Sequence, residues 1–176
     1  MRKSISTLFL VVGAAFFGGA VVAVAGPIFS EAARVEDNVK SLARLQQIDF
    51  VIEVDSSEAF KAAGISGAAI RRKWKRRLKD AGLVVTSDPQ KPVLALLVSS
   101  ITDPAVRNGV AFDLYLALVQ KARVDQIGEL WVQTYVEVRL GLETKQKLRQ
   151  SVEESVDEMI GIFVDHWQES RRDTLP

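Results

Sequence analysis

The residues of this chain that could do chemistry are charged side chains and one histidine, because there is no cysteine. Disulfides, thiolate metal sites and cysteine nucleophiles are therefore excluded. His166 is the only histidine, and an ordinary zinc site needs three or four ligands. Its neighbour Asp165 points to a different side of a helix, so the two do not form a dyad. We expect His166 to be a surface or boundary residue rather than a catalytic one.

Three carboxylates follow one another on the polar side of a predicted strand, at Asp49, Glu53 and Asp55. Each step of two residues along a strand is about 7 Å, so these residues should form an exposed row. A glycosidase instead needs two carboxylates facing each other across a cleft. No phosphate-binding loop, dinucleotide fingerprint or nucleophile elbow occurs. We predict a protein that is not an enzyme and uses no cofactor and no metal. A hydrolase remains the alternative if a pocket brings titratable groups together.

The most unusual feature is a basic segment from Arg71 to Lys79, in which seven of nine residues are basic. These residues are Arg71, Arg72, Lys73, Lys75, Arg76, Arg77 and Lys79. One interpretation is a contact surface for an envelope protein or an anionic envelope polymer. The other is the solvated face of an amphipathic helix, partly neutralised by an acidic helix in the same layer. Trp74 interrupts the charges on the apolar stripe of this helix, so we expect it in the core.

The overall charge balance argues against nucleic acid as a partner. The formal charge of the whole chain is +1, from 23 basic and 22 acidic residues. Without Arg2 and Lys3 the basic count is 21, which makes the remainder −1. A general nucleic-acid binder is normally strongly basic.

The N-terminus has the three parts of an export signal. Arg2 and Lys3 precede an apolar run over residues 5–24, and Ala25 completes a small-x-small cleavage pattern before Gly26. We predict a signal peptide over residues 1–25 and a periplasmic or secreted protein. An uncleaved anchor is the alternative, since about 20 apolar residues can span a bilayer. The protein would then be held in the inner membrane, facing the periplasm, because positive charge before the run stays cytoplasmic.

The remaining chain alternates between helical and strand periodicity. Polar-apolar alternation or apolar runs predict strands over 48–55, 83–86, 93–101, 110–121 and 130–140. Apolar residues three and four apart predict helices over 28–47, 66–81 and 143–170. Ser66 is expected to cap the second helix with its hydroxyl, and Gly82 to end it. The strand over 93–101 is expected to be covered on both faces.

The last two strands are expected to form an antiparallel hairpin. In the final strand, five apolar residues are expected to face the core, namely Leu130, Val132, Val136, Val138 and Leu140. The opposite sheet face is expected to be less apolar, with Tyr115, Trp131 and Tyr135.

These elements predict an α+β fold. We expect a two-layer sandwich with an antiparallel or mixed sheet of four to five strands and two long helices on one face. The predicted organisation is a signal at 1–25, a leading helix or linker at 26–47 and a single domain at 48–176. A chain of about 150 residues can bury roughly 68–70% of its unfolded surface, enough for one core.

This order of elements resembles small exported α/β domains of the bacterial envelope. The resemblance rests on the strand Ile48–Ile52, the helix end Leu78–Leu83, the apolar run Pro92–Val98, a long hairpin and a terminal amphipathic helix. It is similar to the lipopolysaccharide-assembly lipoprotein and to the N-terminal domain of the TolB translocation protein. The resemblance implies an assembly or binding module rather than an enzyme. This chain lacks the cysteine that anchors the lipoprotein, and no functional residue carries over.

Overall fold

A computed structural model of the chain describes residues 38–102 and 108–172. The expected signal at 1–25, and most of the expected leading helix, lie outside the described residues. Five strands and three helices follow residues 38–40, which are helical. They are β1 (Gln47–Val54), α1 (Glu58–Ala63), α2 (Gly67–Asp80), β2 (Val84–Val85), β3 (Val93–Ile101), β4 (Gly109–Val124), β5 (Gly128–Thr144) and α3 (Leu148–Arg172).

The five strands form one mixed sheet in the order β2-β1-β3-β4-β5. β1 is parallel to both of its neighbours, β2 and β3. β3, β4 and β5 are antiparallel, and β4 and β5 form the predicted hairpin. The predicted α+β sandwich with a mixed sheet is confirmed.

Both long helices cover the same face of the sheet. α2 packs over β1 and β2, and α3 packs over β4 and β5. Trp74 of α2 and Trp167 of α3 are completely or almost completely buried, among the largest side chains of the core. Full burial of a large apolar side chain contributes roughly 1.5–3 kcal/mol. The placement of Trp74 in the core is confirmed.

A short helix, α1, was not predicted from the sequence. Ser57 precedes it, and its hydroxyl accepts a hydrogen bond from the Phe60 N–H at 3.3 Å. Gly64 ends the helix at φ 69°, a left-handed conformation suited to glycine. Ser66 stands at the N-cap position of α2, but its side chain makes no capping hydrogen bond. The predicted capping role of that hydroxyl is therefore wrong.

β5 contains a bulge that changes which residues face the helices. Leu118 pairs with Tyr135 and Val119 pairs with Gln133, which leaves Thr134 as an extra residue. An extra residue inverts the inward and outward positions of the strand beyond it. Tyr135 therefore faces the helices and is buried, whereas Leu140 is 81% exposed on the other face. The predicted inward orientation of Val136, Val138 and Leu140 is wrong, as is the outward orientation of Tyr135.

Two helix boundaries and the burial of β3 also differ from the sequence prediction. α3 begins at Leu148 rather than 143, because β5 continues to Thr144. The predicted helix at 28–47 cannot reach its expected end, since β1 begins at Gln47, but Leu42 and Leu45 are buried in the core. The predicted cover of β3 on both faces holds only for its first part: Ala95 is buried on the outer face, whereas Leu97 and Ile101 are 42% and 71% exposed there.

Candidate functional site

The basic residues of α2 divide into an outward stripe and an inward-reaching set. All seven are exposed. With 3.6 residues per turn, four of them fall within about 100° of the helix circumference. These four, called here the basic stripe, are Arg72, Lys75, Arg76 and Lys79. The buried stripe of Ile70, Trp74 and Leu78 lies on the opposite side of the helix. Packing of that apolar side onto the sheet therefore directs the basic stripe into solvent.

The other three basic residues of α2 hold the helix to its neighbours. Arg71 Nη1 donates to the Phe50 carbonyl at 2.8 Å, and its guanidinium lies 4.9 Å from the centroid of the Phe50 ring. Lys73 pairs with the Asp157 carboxylate on α3. Arg77 Nη1 donates to the backbone carbonyl of Asp157 at 3.2 Å. These three residues position α2, so they are poorly suited to bind a partner.

The side chains of the basic stripe make no hydrogen bond or ion pair within the described part of the chain. α2 holds seven basic residues and one acidic residue, Asp80. The predicted neutralisation by the acidic final helix is local among the described residues: Lys73 forms an ion pair with Asp157, whereas Arg77 contacts only a backbone carbonyl. The sequence indicated the cluster, but only the packing of α2 separates its four outward members from the three that hold the fold.

A shallow depression of about 370 Å³ lies between α2 and α3. It is lined by Lys73, Gln146, Arg149, Gln150, Glu153, Glu154 and Asp157. The charges pair within it, since Arg149 Nε lies 2.9 Å from Glu153 Oε1 and Lys73 pairs with Asp157. Within the described residues no group of three or more histidines or carboxylates could hold a metal ion. The depression offers no nucleophile next to a general base.

Asp55 does not belong to a solvated row, in contrast to the sequence prediction. Its carboxylate accepts hydrogen bonds from the Ser57 N–H at 2.6 Å and the Ser100 N–H at 2.7 Å. The hydroxyls of Ser57 and Ser100 are 2.7 Å apart. Burial raises the pKa of Asp55, but the hydrogen bonds from Ser57 and Ser100 outweigh it and hold that pKa below its ordinary value. This cluster joins the end of β1, the cap of α1 and β3.

His166 lies at the boundary of the core, as predicted. Nδ1 of His166 is 3.0 Å from the hydroxyl oxygen of Tyr135, and the two rings meet edge to face. Burial raises the pKa of Tyr135 well above its ordinary range, with a further rise from Glu137 that Arg139 partly opposes. Tyr135 therefore keeps its proton, and its hydroxyl can donate a hydrogen bond to Nδ1 of His166. The pair joins β5 to α3.

The sheet face turned away from the helices carries exposed apolar residues near the end of the hairpin. Val138 is 48% exposed, and Leu140, Leu142, Leu97 and Ile101 are also exposed. The register places Leu97, Tyr115 and Val138 in one row across three strands. The expectation of a less apolar outer face is therefore wrong for this end of the sheet. No helix in the described part of the chain is both long enough and apolar enough to cross a bilayer.

Comparison with known proteins finds distant structural likenesses only. No family model matches the chain, and no curated protein matches it. A hypothetical protein from Chlamydia trachomatis is 8% identical with a TM-score of 0.44, covering 69% of this chain and 96% of its own. A minor lipoprotein from Acinetobacter baumannii is 12% identical with a TM-score of 0.37, covering 73% and 95%. The rare lipoprotein B from Shewanella oneidensis is 14% identical with a TM-score of 0.28, again covering 73% and 95%. These likenesses are too distant to transfer a function.

Proposed function

We propose that this chain is an exported, non-catalytic binding or assembly domain of the cell envelope, which holds an acidic partner through the basic stripe of α2. The observation that supports this is that the basic residues of α2 form two groups, one that contacts the rest of the fold and one that faces solvent. Arg71, Lys73 and Arg77 contact neighbouring elements of the fold, while the side chains of the four stripe residues have no partner in the described chain. Four like charges on one side of a helix repel one another, and an anionic surface would relieve that repulsion.

The chemistry of the stripe suits an envelope protein with an acidic face or an anionic envelope polymer. Each exposed ion pair contributes only about 0–1 kcal/mol, so useful affinity needs several pairs at once. Such binding weakens as salt rises, because the Debye length falls from about 10 Å at 0.1 M to about 3 Å at 1 M. The proposed contact is therefore one that forms readily and dissociates with modest increases in ionic strength.

Charge reversal at three members of the stripe tests the proposal. The variant Arg72→Glu/Arg76→Glu/Lys79→Glu should lose at least tenfold in capture of partners from an envelope extract. The matched control reverses three exposed basic residues elsewhere, Arg123, Lys145 and Lys147, with the same change in net charge. The control should capture partners nearly as the wild type does. Equal loss in both variants would show that net charge alone matters, and unchanged capture in the first would remove α2 from consideration.

Retention of residues 5–25 as a membrane anchor is the tethered form of the same proposal. In that form the domain would be an accessory subunit of an envelope complex, held at the membrane while the basic stripe meets its partner. Intact-mass measurement of the exported protein distinguishes the two. A mass beginning at Gly26 supports the free domain, and a mass that includes the apolar run supports the tethered subunit.

A further inference from the structure

β5 ends the sheet with an edge that has the features of a pairing surface. It spans 17 residues, and among the described residues no strand pairs with its outer side. Natural edge strands are usually blunted by short length, proline, lysine, bulges or inward-pointing charges, since their unpaired N–H and C=O groups invite another strand. β5 has a bulge at Thr134 and two inward-pointing charges of opposite sign, Glu137 and Arg139. β5 contains neither proline nor lysine. Beyond the bulge at Thr134, its inner side pairs in regular register with β4 as far as Thr144.

We propose that a second copy of this chain pairs with the outer edge of β5, antiparallel, about a two-fold axis at Val138. In this register Glu137 of each copy lies opposite Arg139 of the other. Val138 lies opposite Val138, and Leu140 lies opposite Val136. Opposite charges and apolar pairs placed directly across two strands both stabilise a sheet.

The charges on β5 select this register over its neighbours. A two-fold axis at a residue pairs only residues that lie on the same face of the sheet. Moving the axis by one residue therefore shifts every pairing by two residues. An axis at Glu137 or at Arg139 places like charges opposite each other. An axis at Leu140 places Glu137 opposite Glu143, and an axis at Val136 places Glu129 opposite Glu143. Like charges directly opposite are destabilising. Among the axes from Val136 to Leu140, Val138 is the only position about which the charge pattern is complementary to itself. An axis at Gly141 also pairs Arg139 with Glu143, but it overlaps only residues 138–144 of each strand, against 132–144 for an axis at Val138.

The state of Arg139 within one copy is consistent with this pairing. Its Nη2 lies 3.4 Å from Glu137 and 3.2 Å from Glu158, so two carboxylates share one guanidinium. Its Nε is buried and has no hydrogen-bond partner among the described residues. In the proposed register the second copy brings its Glu137 to each Arg139 and its Arg139 to each Glu137. The proposal does not depend on the basic stripe, since α2 packs over β1 and β2 at the far side of the sheet.

A single cysteine reports the register directly, because the chain has none of its own. Directly opposite residues of antiparallel strands have Cα atoms about 4.5–5.5 Å apart, within the range that a disulfide accepts. Val138→Cys in the full chain should form a disulfide-linked dimer when envelope fractions are oxidised with copper phenanthroline. Leu140→Cys is the matched control, because it lies on the same face and is more exposed. In the proposed register its two copies are roughly 13 Å apart.

The expected result is at least tenfold more dimer for Val138→Cys than for Leu140→Cys on a non-reducing gel. Equal yields, a higher yield for Leu140→Cys, no dimer, or a product containing another protein would each overturn the proposal. The last outcome would show that the edge accepts a foreign strand instead of a second copy.

A charge exchange tests the same pairing without a cysteine. Glu137→Arg alone puts like positive charges opposite each other, and Arg139→Glu alone puts like negative charges opposite each other. Each variant should lose at least tenfold in capture of a tagged copy of itself. A mixture of the two variants restores opposite charges at every position and should recover capture to within about threefold of the wild type. Recovery supports the two-fold pairing, and a mixture that fails although circular dichroism shows both variants folded contradicts it.

Discussion

The hydroxyl oxygen of Tyr135 lies 3.0 Å from Nδ1 of His166, which links the edge strand β5 to the long helix α3. Phe163 packs edge to face on the same tyrosine, with ring centroids 5.5 Å apart. The only histidine of the chain thus has a structural partner that lies 31 residues away in sequence. The link exists because the bulge at Thr134 turns Tyr135 toward the helices.

Tyr135→Phe tests this link. Loss of one hydrogen bond should reduce the free energy of unfolding by about 1 kcal/mol at neutral pH. The folded-state pKa of Tyr135 is raised above 10.0, so the unfolded chain releases this proton first and stability falls as pH rises above 10.0. The variant should lack that component of the fall. Urea unfolding between about pH 8 and about pH 11 measures it.

Tyr115→Phe is the matched control, because Tyr115 lies partly exposed on the outer face and its hydroxyl donates to Gln133 at 3.1 Å. The control should keep the alkaline fall of the wild type. An equal alkaline slope in the wild type and in Tyr135→Phe would contradict the assignment.

The two buried tryptophans should respond differently to the same substitution. Trp167 Nε1 donates to the Leu45 carbonyl at 2.9 Å, whereas Trp74 Nε1 has no hydrogen-bond partner among the described residues. Trp167→Phe leaves a buried carbonyl unsatisfied, but Trp74→Phe removes an unsatisfied donor. We expect Trp167→Phe to cost about 1–2 kcal/mol more in the free energy of unfolding than Trp74→Phe. Urea denaturation of both variants measures the difference, and equal costs would contradict the expectation.

Gly141 leaves room for an aromatic ring on the neighbouring strand. Phe112 pairs with it, and a Cβ added at Gly141 would overlap the Phe112 ring. Gly141→Ala should therefore destabilise the fold by about 1–3 kcal/mol, as overpacking does. In a Phe112→Leu background the same change should cost less than about 1 kcal/mol. Thermal or urea unfolding of the wild type, the two single variants and the double variant gives the coupling free energy between the two positions. Additive effects would show that overlap with the Phe112 ring is not the cause of the destabilisation.

Asp55→Asn should destabilise the fold at neutral pH and much less in acid. Hydrogen bonds to a charged group contribute about 1.5–3 kcal/mol, and the variant loses the charge that Ser57 and Ser100 stabilise. Because the folded-state pKa is below 3.8, this stability is present above 3.8 and is lost as pH falls through the folded-state value. The difference in unfolding free energy should therefore shrink toward acid pH.

Glu53→Gln is the matched control for Asp55→Asn, because Glu53 lies exposed on the same strand. It should change the free energy of unfolding by less than about 0.5 kcal/mol at either pH. A difference between Asp55→Asn and the wild type that stays constant with pH would contradict a role for the ionised carboxylate.

Much of the fold follows from local periodicity. The alternation after Ile48 predicts β1, and the apolar spacing around Trp74 predicts α2 and its buried side. The hairpin of β4 and β5 follows from two long alternating runs around a short polar turn. Each of these signals lies within one element or two adjacent elements, and for that reason the sequence is sufficient to predict them.

The candidate site was only half visible in the sequence. Seven basic residues in nine mark α2 as unusual, but composition treats them as equivalent. The packing of α2 against Phe50 and Asp157 separates the residues that hold the helix from the four that face solvent. The helix α1 was also missed, because six residues are too few to establish a period.

The sequence by itself determined the types of the main elements, the α+β class and the export signal expected at the N-terminus. The tertiary structure decided the strand order, the partners of His166 and Asp55, and the face of β5 that carries Leu140. A period of two defines two faces of a strand but does not say which one is covered, and one extra residue at Thr134 exchanges them. Contacts between distant segments decide which face is buried, because they place the long helices on one side of the sheet.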